Sequence, residues 1–130
     1  MASIFSKIIA GEIPCYKIAE NDHYIAFLDV FPLKKGHTLI VPKKEVDYIF
    51  DLDNETYLGL MAFSKVVAVA IKKAIPCNRI AVNVFGLEVP HAHVHLIPMN
   101  TMNDVSFSND KLKLSKEEFE QIASEIKQYI

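Results

Sequence analysis

Residues 90–98 read Pro-His-Ala-His-Val-His-Leu-Ile-Pro, with a histidine at every second place. Side chains on a strand point alternately to its two faces. A strand over residues 91–98 therefore puts His91, His93 and His95 on one face and Ala92, Val94 and Leu96 on the other. The aliphatic face suits a packed core. Three hydrogen-bonding rings on the opposite face are costly to bury without partners. This one segment thus asks for a sheet with a core on one side and a polar, functional strip on the other. A single histidine would read as structural; three in register on an apolar strand read as a site.

The rest of the chain supplies the other layers. Ile4, Phe5, Ile8 and Ile9 share a face of a short helix over residues 3–10, stopped by Gly11. Strands are expected over residues 16–19 and 24–28, divided by Glu20-Asn21-Asp22, and over 37–41, closed by Pro42. Residues 29–36 form a loop. Asp53 is a good N-cap for a helix over residues 54–74. Tyr57, Leu60, Met61, Ser64, Val67, Ala68 and Ile71 form one face of it, but Leu58, Ala62, Val66, Val69 and Ala70 make the other side apolar too. Such a helix needs burial on more than one side. The reading favoured here is a homodimer built around it; the alternative is cover from the C-terminal helix of the same chain. Strands over residues 79–85 and 91–98, joined by a short turn at Gly86, are expected as a hairpin at the centre of the sheet. Residues 100–110 are expected as a polar, flexible loop. Ser115 and Glu118 form a capping-box pattern that starts a last helix reaching almost to Ile130, with Phe119, Ile122, Ala123 and Ile126 inward.

Length and composition fit one domain over residues 1–130, with 51% apolar and 23% charged residues and a net charge of −2. No clustered basic surface points to nucleic acid. Lys34–Lys35 and Lys43–Lys44 could attract a phosphate, although a solvated surface is the simpler reading. Cys15 and Cys77 are too few for a disulfide scaffold and read as reduced. No basic region precedes a long apolar run at the start, and the strictly apolar run 66–71 is too short for a membrane. The expectation is a cytoplasmic protein without a membrane partner.

The histidine row can carry chemistry. A neutral imidazole has one ring nitrogen with a free lone pair and is a competent nucleophile. The other nitrogen must be held by an acceptor. A neighbouring imidazole can bind a phosphoryl oxygen or protonate a leaving group. The rival is a metal, since histidines at i and i+2 on a strand also suit zinc; Glu88 is the nearest acidic residue before the row, and no cysteine partner is evident.

At this point the sequence resembles the histidine triad family, whose signature is His-φ-His-φ-His-φ-φ with φ apolar. Here it reads His91-Ala92-His93-Val94-His95-Leu96-Ile97. Residues 5–14, 26–32 and 36–43 resemble the family's earlier blocks, so similarity covers residues 3–100 and leaves the C-terminal helix outside. The resemblance implies an α+β fold with a five-stranded antiparallel sheet. It adds a short N-terminal helix and a long helix packed at a dimer interface. It implies hydrolysis at the α-phosphate of a purine nucleotide conjugate without a metal or other cofactor. His93 would be the nucleophile, forming a covalent nucleotidyl-histidine. His95 would contact the phosphate, and His91 and His37 would brace the site. Asp29 would hold the ribose hydroxyls and Asn83 would sit at the phosphate. Phe5, Ile8 and Phe27 would form the base slot. Each has a plainer reading: core for the apolar three, a turn cap for Asp29, a strand-end surface histidine for His37. His23 matches no family site and reads as exposed. Uridylyltransferase relatives carry glutamine at the third position, so His95 favours the hydrolases.

Two departures bear on substrate. The segment between Asn83 and His91 is about three residues shorter than in well-known members. Gly86-Leu87-Glu88 stands where they carry Gly-Gln-Ser or Gly-Gln-Thr. Leu87 cannot bind phosphate, and Glu88 repels a polyphosphate. That favours a phosphoramidate substrate over a dinucleoside polyphosphate, and leaves open a nucleotide-binding protein with little turnover. Some microbial members also carry Cys-x-x-Cys near the N-terminus as half of a zinc site; Ser3 and Ser6 stand there, so no zinc is expected.

Overall fold

The computed structural model describes residues 2–130. Helix α1 spans Ile4–Ile9, followed by strands β1 (Lys17–Glu20), β2 (Tyr24–Leu28) and β3 (Thr38–Pro42). Helix α2 spans Asn54–Ala74, then come β4 (Arg79–Asn83), β5 (Val94–Met99) and helix α3 (Lys116–Lys127). Short 3₁₀ turns lie at Ile49–Asp51 and Met102–Val105. The strands form one five-stranded antiparallel sheet in the order β1-β2-β3-β5-β4. This is the α+β arrangement expected.

The alternation of the strands sorts the core. Ala26, Leu28, Ile40, Val94 and Leu96 face α2 and α3, where they meet Leu60, Val67, Ile71, Phe119, Ile122 and Ile126. Ile25, Phe27, Leu39 and Val41 face the other way and pack with Phe5 of α1. Burying each large aliphatic side chain in these layers is worth about 1.5–3 kcal/mol. Helix α2 approaches the sheet closely at Gly59: a β-carbon there would overlap the Tyr24 hydroxyl. That hydroxyl donates to the Thr56 carbonyl at 3.0 Å, so only glycine fits.

Three expectations need correction. The β4–β5 hairpin is not central. Strand β5 is internal because β3 pairs with its other side, Thr38 opposite Leu96 and Leu39 opposite His95, and this leaves β4 at the edge. Second, β4 ends at Asn83 and β5 begins only at Val94. The backbone of the intervening stretch bonds outside the β4–β5 ladder: the Ala92 amide donates to the Val46 carbonyl at 2.7 Å and the His91 amide to the Val89 carbonyl at 2.8 Å. Third, residues 100–110 are anchored. Asp104 accepts from the Asn100 and Thr101 amides and pairs with Lys34 at 3.1 Å. Lys111 donates to the Phe107 carbonyl at 2.8 Å.

The helix termini follow the sequence. Ser3 caps α1, Asp53 caps α2, and Ser115 and Glu118 form the capping box of α3. On α2, Leu60, Ser64, Val67, Ala70 and Ile71 are buried. Ala70 thus joins the inner side rather than the outer one, while Leu58, Val66 and Val69 remain exposed. Among the described residues, no helix is long and apolar enough to cross a membrane.

Candidate functional site

The histidines gather at the face of the sheet opposite α2. Only His95 lies within β5; His91 and His93 lie in the stretch just before it. The alternation nevertheless holds through that stretch. Ala92 and Val94 enter the α2-side core, while the rings of His93 and His95 stand 4.9 Å apart on the other side. All three are buried or nearly so, as is His37. His37 enters from the start of β3, just after Gly36, whose φ of +92° turns the chain there.

Hydrogen-bond partners assign the protons. The Leu33 amide donates to His37 Nδ1 at 3.1 Å, so that nitrogen carries a lone pair. Burial holds the His37 pKa down to about 3, with the Lys111 ammonium adding to the effect, and the ring is neutral. Its proton therefore sits on Nε2 and is donated to His95 Nδ1 at 3.0 Å. His95 is also held down to about 3, mainly by burial. Its own proton is then on Nε2. His93 Nδ1 donates to the His91 carbonyl at 2.7 Å, and burial lowers the His93 pKa. The lone pair of neutral His93 is therefore on Nε2. One free lone pair and one N–H donor thus stand side by side. Among the described residues no side-chain nitrogen or oxygen is both buried and unpartnered, so both atoms reach solvent-accessible space.

His91 braces this arrangement. Its Nε2–H donates to the Pro42 carbonyl at 2.8 Å, and its Nδ1 accepts from the Ser3 hydroxyl at 2.7 Å. The Ser3 amide donates to Glu45 Oε1 at 2.7 Å and the Ser6 hydroxyl to the same oxygen at 2.5 Å. These contacts, the Ser3 amide first, hold the Glu45 carboxyl down to about 2. The two serines are thus occupied in tying α1 to the histidine row.

These groups open on a cavity of about 460 Å³. Phe5, Ile8 and Phe27 line it, Phe5 standing edge-on to His93 at 4.8 Å and to Phe27 at 5.7 Å. They are core and wall at once. Asp29 lines it too. One of its carboxylate oxygens accepts from the Phe31 amide at 2.8 Å, as in the plainer turn-cap reading, and the other lies 3.5 Å from His37 Nε2. Asn83 pairs across the ladder with His95 and so shares its face, but is not among the cavity-lining residues. His23 is exposed.

Asp29, His37 and His95 have ligand atoms within 4.8 Å of one another. They are poor ligands for a metal. His37 could offer an Nε2 lone pair only by moving its proton to Nδ1, against the Leu33 N–H.

Sequence reasoning missed two parts. Ser3, Ser6 and Glu45 carry no local signal of contact with His91. Phe85 and Phe107 line the cavity and pack edge-on at 4.6 Å; the one aromatic residue in the polar stretch 100–110 was the only hint. Leu87 and Glu88 do lie at the cavity, and Leu87 is 93% exposed.

A HIT domain family model matches residues 10–102. A Schizosaccharomyces pombe protein named adenosine 5'-monophosphoramidase is 33% identical over 131 residues, covering 97% of this chain and 96% of that one. A HIT-like protein of Borreliella burgdorferi is 33% identical over 131 residues, covering 95% and 94%. A solved structure of a Hit-like protein from Bartonella henselae has a TM-score of 0.85 at 32% identity, covering 98% of this chain and 96% of that one.

Proposed function

The chain belongs to the histidine triad (HIT) family, and on that premise we propose that it is a metal-independent hydrolase of purine nucleoside phosphoramidates. The observation that carries this reading is the pair of uncommitted nitrogens: the His93 Nε2 lone pair and the His95 Nε2–H. The relative named adenosine 5'-monophosphoramidase supports the substrate class.

The base lies in the slot of Phe5, Ile8 and Phe27, and Asp29 accepts from the ribose hydroxyls. His93 Nε2 attacks the α-phosphorus. A P–N bond to the histidine forms, the P–N bond to the leaving amine breaks, and the amine departs with a proton from solvent at the cavity mouth. His95 donates a hydrogen bond to a phosphoryl oxygen as charge develops. It is a poor proton source, because replenishment through His37 ends at the Leu33 amide, which has none to give. Water then attacks phosphorus, the P–Nε2 bond breaks, one proton goes to solvent, and nucleoside monophosphate leaves with His93 neutral again. Asn83 contributes from β4, on the face of His95.

Charge favours a phosphoramidate over a dinucleoside polyphosphate. The acidic side chains lining the cavity are Asp29 and Glu88, and no lysine or arginine lines it. A polyphosphate leaving group would meet carboxylates without a counter-ion. We also place the protein in the cytoplasm as a homodimer: Leu58, Val66 and Val69 are 65%, 55% and 47% exposed on α2, and β4 is an open sheet edge.

The test is hydrolysis of an adenosine phosphoramidate in excess chelator. Release of adenosine monophosphate, abolished by His93→Ala, is expected. No release, or full activity in His93→Ala, would overturn the reading. Tight nucleotide binding without turnover would leave the binding-protein alternative standing.

A further inference from the structure

The reaction above needs the His95 proton on Nε2, and that placement is set at a distance. His37 Nε2–H donates to His95 Nδ1 at 3.0 Å because the Leu33 amide occupies His37 Nδ1 at 3.1 Å. Without that amide the His37 proton is free to sit on Nδ1. His37 Nε2 then turns a lone pair toward His95, the His95 proton moves to Nδ1 to meet it, and the donor at the phosphate is lost. One backbone N–H thus sets the protons at the cavity floor.

That N–H belongs to the loop between β2 and β3. Within the loop, the Phe31 amide donates to Asp29 at 2.8 Å and the His37 amide to the Lys34 carbonyl at 3.0 Å. Among the described residues, the polar contacts that reach the loop from elsewhere in the chain flank Leu33 on both sides. The Leu112 amide donates to the Pro32 carbonyl at 2.8 Å, and Lys34 Nζ pairs with Asp104 Oδ1 at 3.1 Å. Both Asp104 and Leu112 lie beyond residue 102, where the family match ends.

These partners are themselves anchored. The other Asp104 oxygen accepts from the Asn100 amide at 2.8 Å and from the Thr101 amide at 3.0 Å. The two amides, Asn100 first, and then Lys34 hold its carboxyl well below the usual carboxylate range, so the pair keeps its charges at neutral pH. Lys111 Nζ donates to the Phe107 carbonyl at 2.8 Å and to the Asn109 carbonyl at 3.1 Å, which fixes the chain just before Leu112. Neither Lys34 nor Asp104 lines the cavity, so any effect they have on the reaction passes through the loop.

We infer that Asp104, acting through Lys34, is a positioning residue for the reaction: the pair holds the Leu33 amide on His37 and so keeps the His95 proton on the nitrogen that faces the phosphate. The effect on rate rests on the hydrolase reading; the proton placement stands without substrate. A partly exposed ion pair alone changes such an equilibrium by a few-fold. Removing Asp104 also unties the turn that it caps, and so has the larger effect.

The experiment combines nitrogen NMR of the histidine rings in the ligand-free protein with kcat and KM for an adenosine phosphoramidate. In the intact protein His37 and His95 should each show a protonated Nε2 and an unprotonated Nδ1. Asp104→Ala should draw the two nitrogens of each ring toward a common average and lower kcat, with KM little changed. Lys34→Met, which removes the ion pair alone, should do the same to a smaller extent and lower kcat by a few-fold. Lys34→Arg should restore both readouts. Lys113→Met, an equal change of charge at an exposed position of the same segment, should match the intact protein. Unchanged ring nitrogens in Asp104→Ala, or altered nitrogens with kcat intact, would overturn the inference, as would an equal effect of Lys113→Met. If Asp104→Ala does not fold, Lys34→Met decides alone, and unchanged nitrogens there overturn it. Failure of the intact protein to hydrolyse the substrate would overturn the hydrolase reading alone, since the ring nitrogens report the tether without turnover.

Discussion

The floor of the cavity and its mouth are built in opposite ways. At the floor, His37, His91, His93 and His95 carry eight ring nitrogens, and six have named partners at 2.7–3.1 Å. At the mouth, Leu87 is 93% exposed and Phe85 50%, and Glu88 makes no side-chain hydrogen bond among the described residues. The difference separates two functions. Buried rings, partnered at every nitrogen except the two that face the cavity, fix which atom attacks and which donates, because any other proton placement leaves two donors or two acceptors facing each other. An exposed connection fixes nothing about the attack and is free to set what leaves.

The comparison can be broken most directly at the floor. His95→Ala removes the Nε2–H donor and should cost about 10²–10³ in kcat, the usual effect of one oxyanion donor. Single-turnover kinetics would show it as a slower chemical step. A loss confined to KM would mean that His95 only binds.

Acidity should strike the floor before other parts of the fold. Burial holds His37 and His95 to about 3, while an unfolded histidine titrates near 6.5. The unfolded chain therefore binds more protons between those values. Stability is complete above about pH 6.5 and falls as pH drops toward 3. Urea midpoints between pH 6.5 and about 5.5 would isolate this effect, since the depressed Glu45 and Asp104 carboxyls begin to lose their contribution only as pH falls toward their unfolded values, near and below about 4.3. A flat midpoint across that window would contradict the neutral, buried rings.

Ser3→Ala tests the brace. It removes the N-cap of α1 and the donor to His91. A stability loss of about 1 kcal/mol follows from the cap alone. A fall in kcat of a few-fold, with KM little changed, would show that the brace reaches His93 through the His91 carbonyl. An effect on stability only would confine Ser3 to capping.

What the sequence made legible follows the same division. Alternation placed Ala92 and Val94 in one core and the three histidines opposite, because side-chain direction is a local property of extended chain. The caps at Asp53 and Ser115 were equally local. The start of β5 was not legible, since the Ala92 amide turns to Val46, distant in sequence. Nor was the edge position of β4, which depends on β3 reaching β5 first. Asp29 and His37 could be named from the family blocks, but the His37 proton is placed only by Leu33 and His95 in space. Phe107 lies in a stretch whose polarity suggested a loose loop, and it is placed by Lys111 and by the Leu112–Pro32 bond.

The attack by His93 Nε2 is the step on which the rest depends. Rapid acid-free quenching during turnover of an adenosine phosphoramidate, followed by peptide mass mapping and phosphorus NMR, would locate the adduct. The expected result is a nucleotidyl group on His93, attached through Nε2. An adduct on His91 or His95, attachment through His93 Nδ1, or turnover with no adduct at any quench time would contradict it.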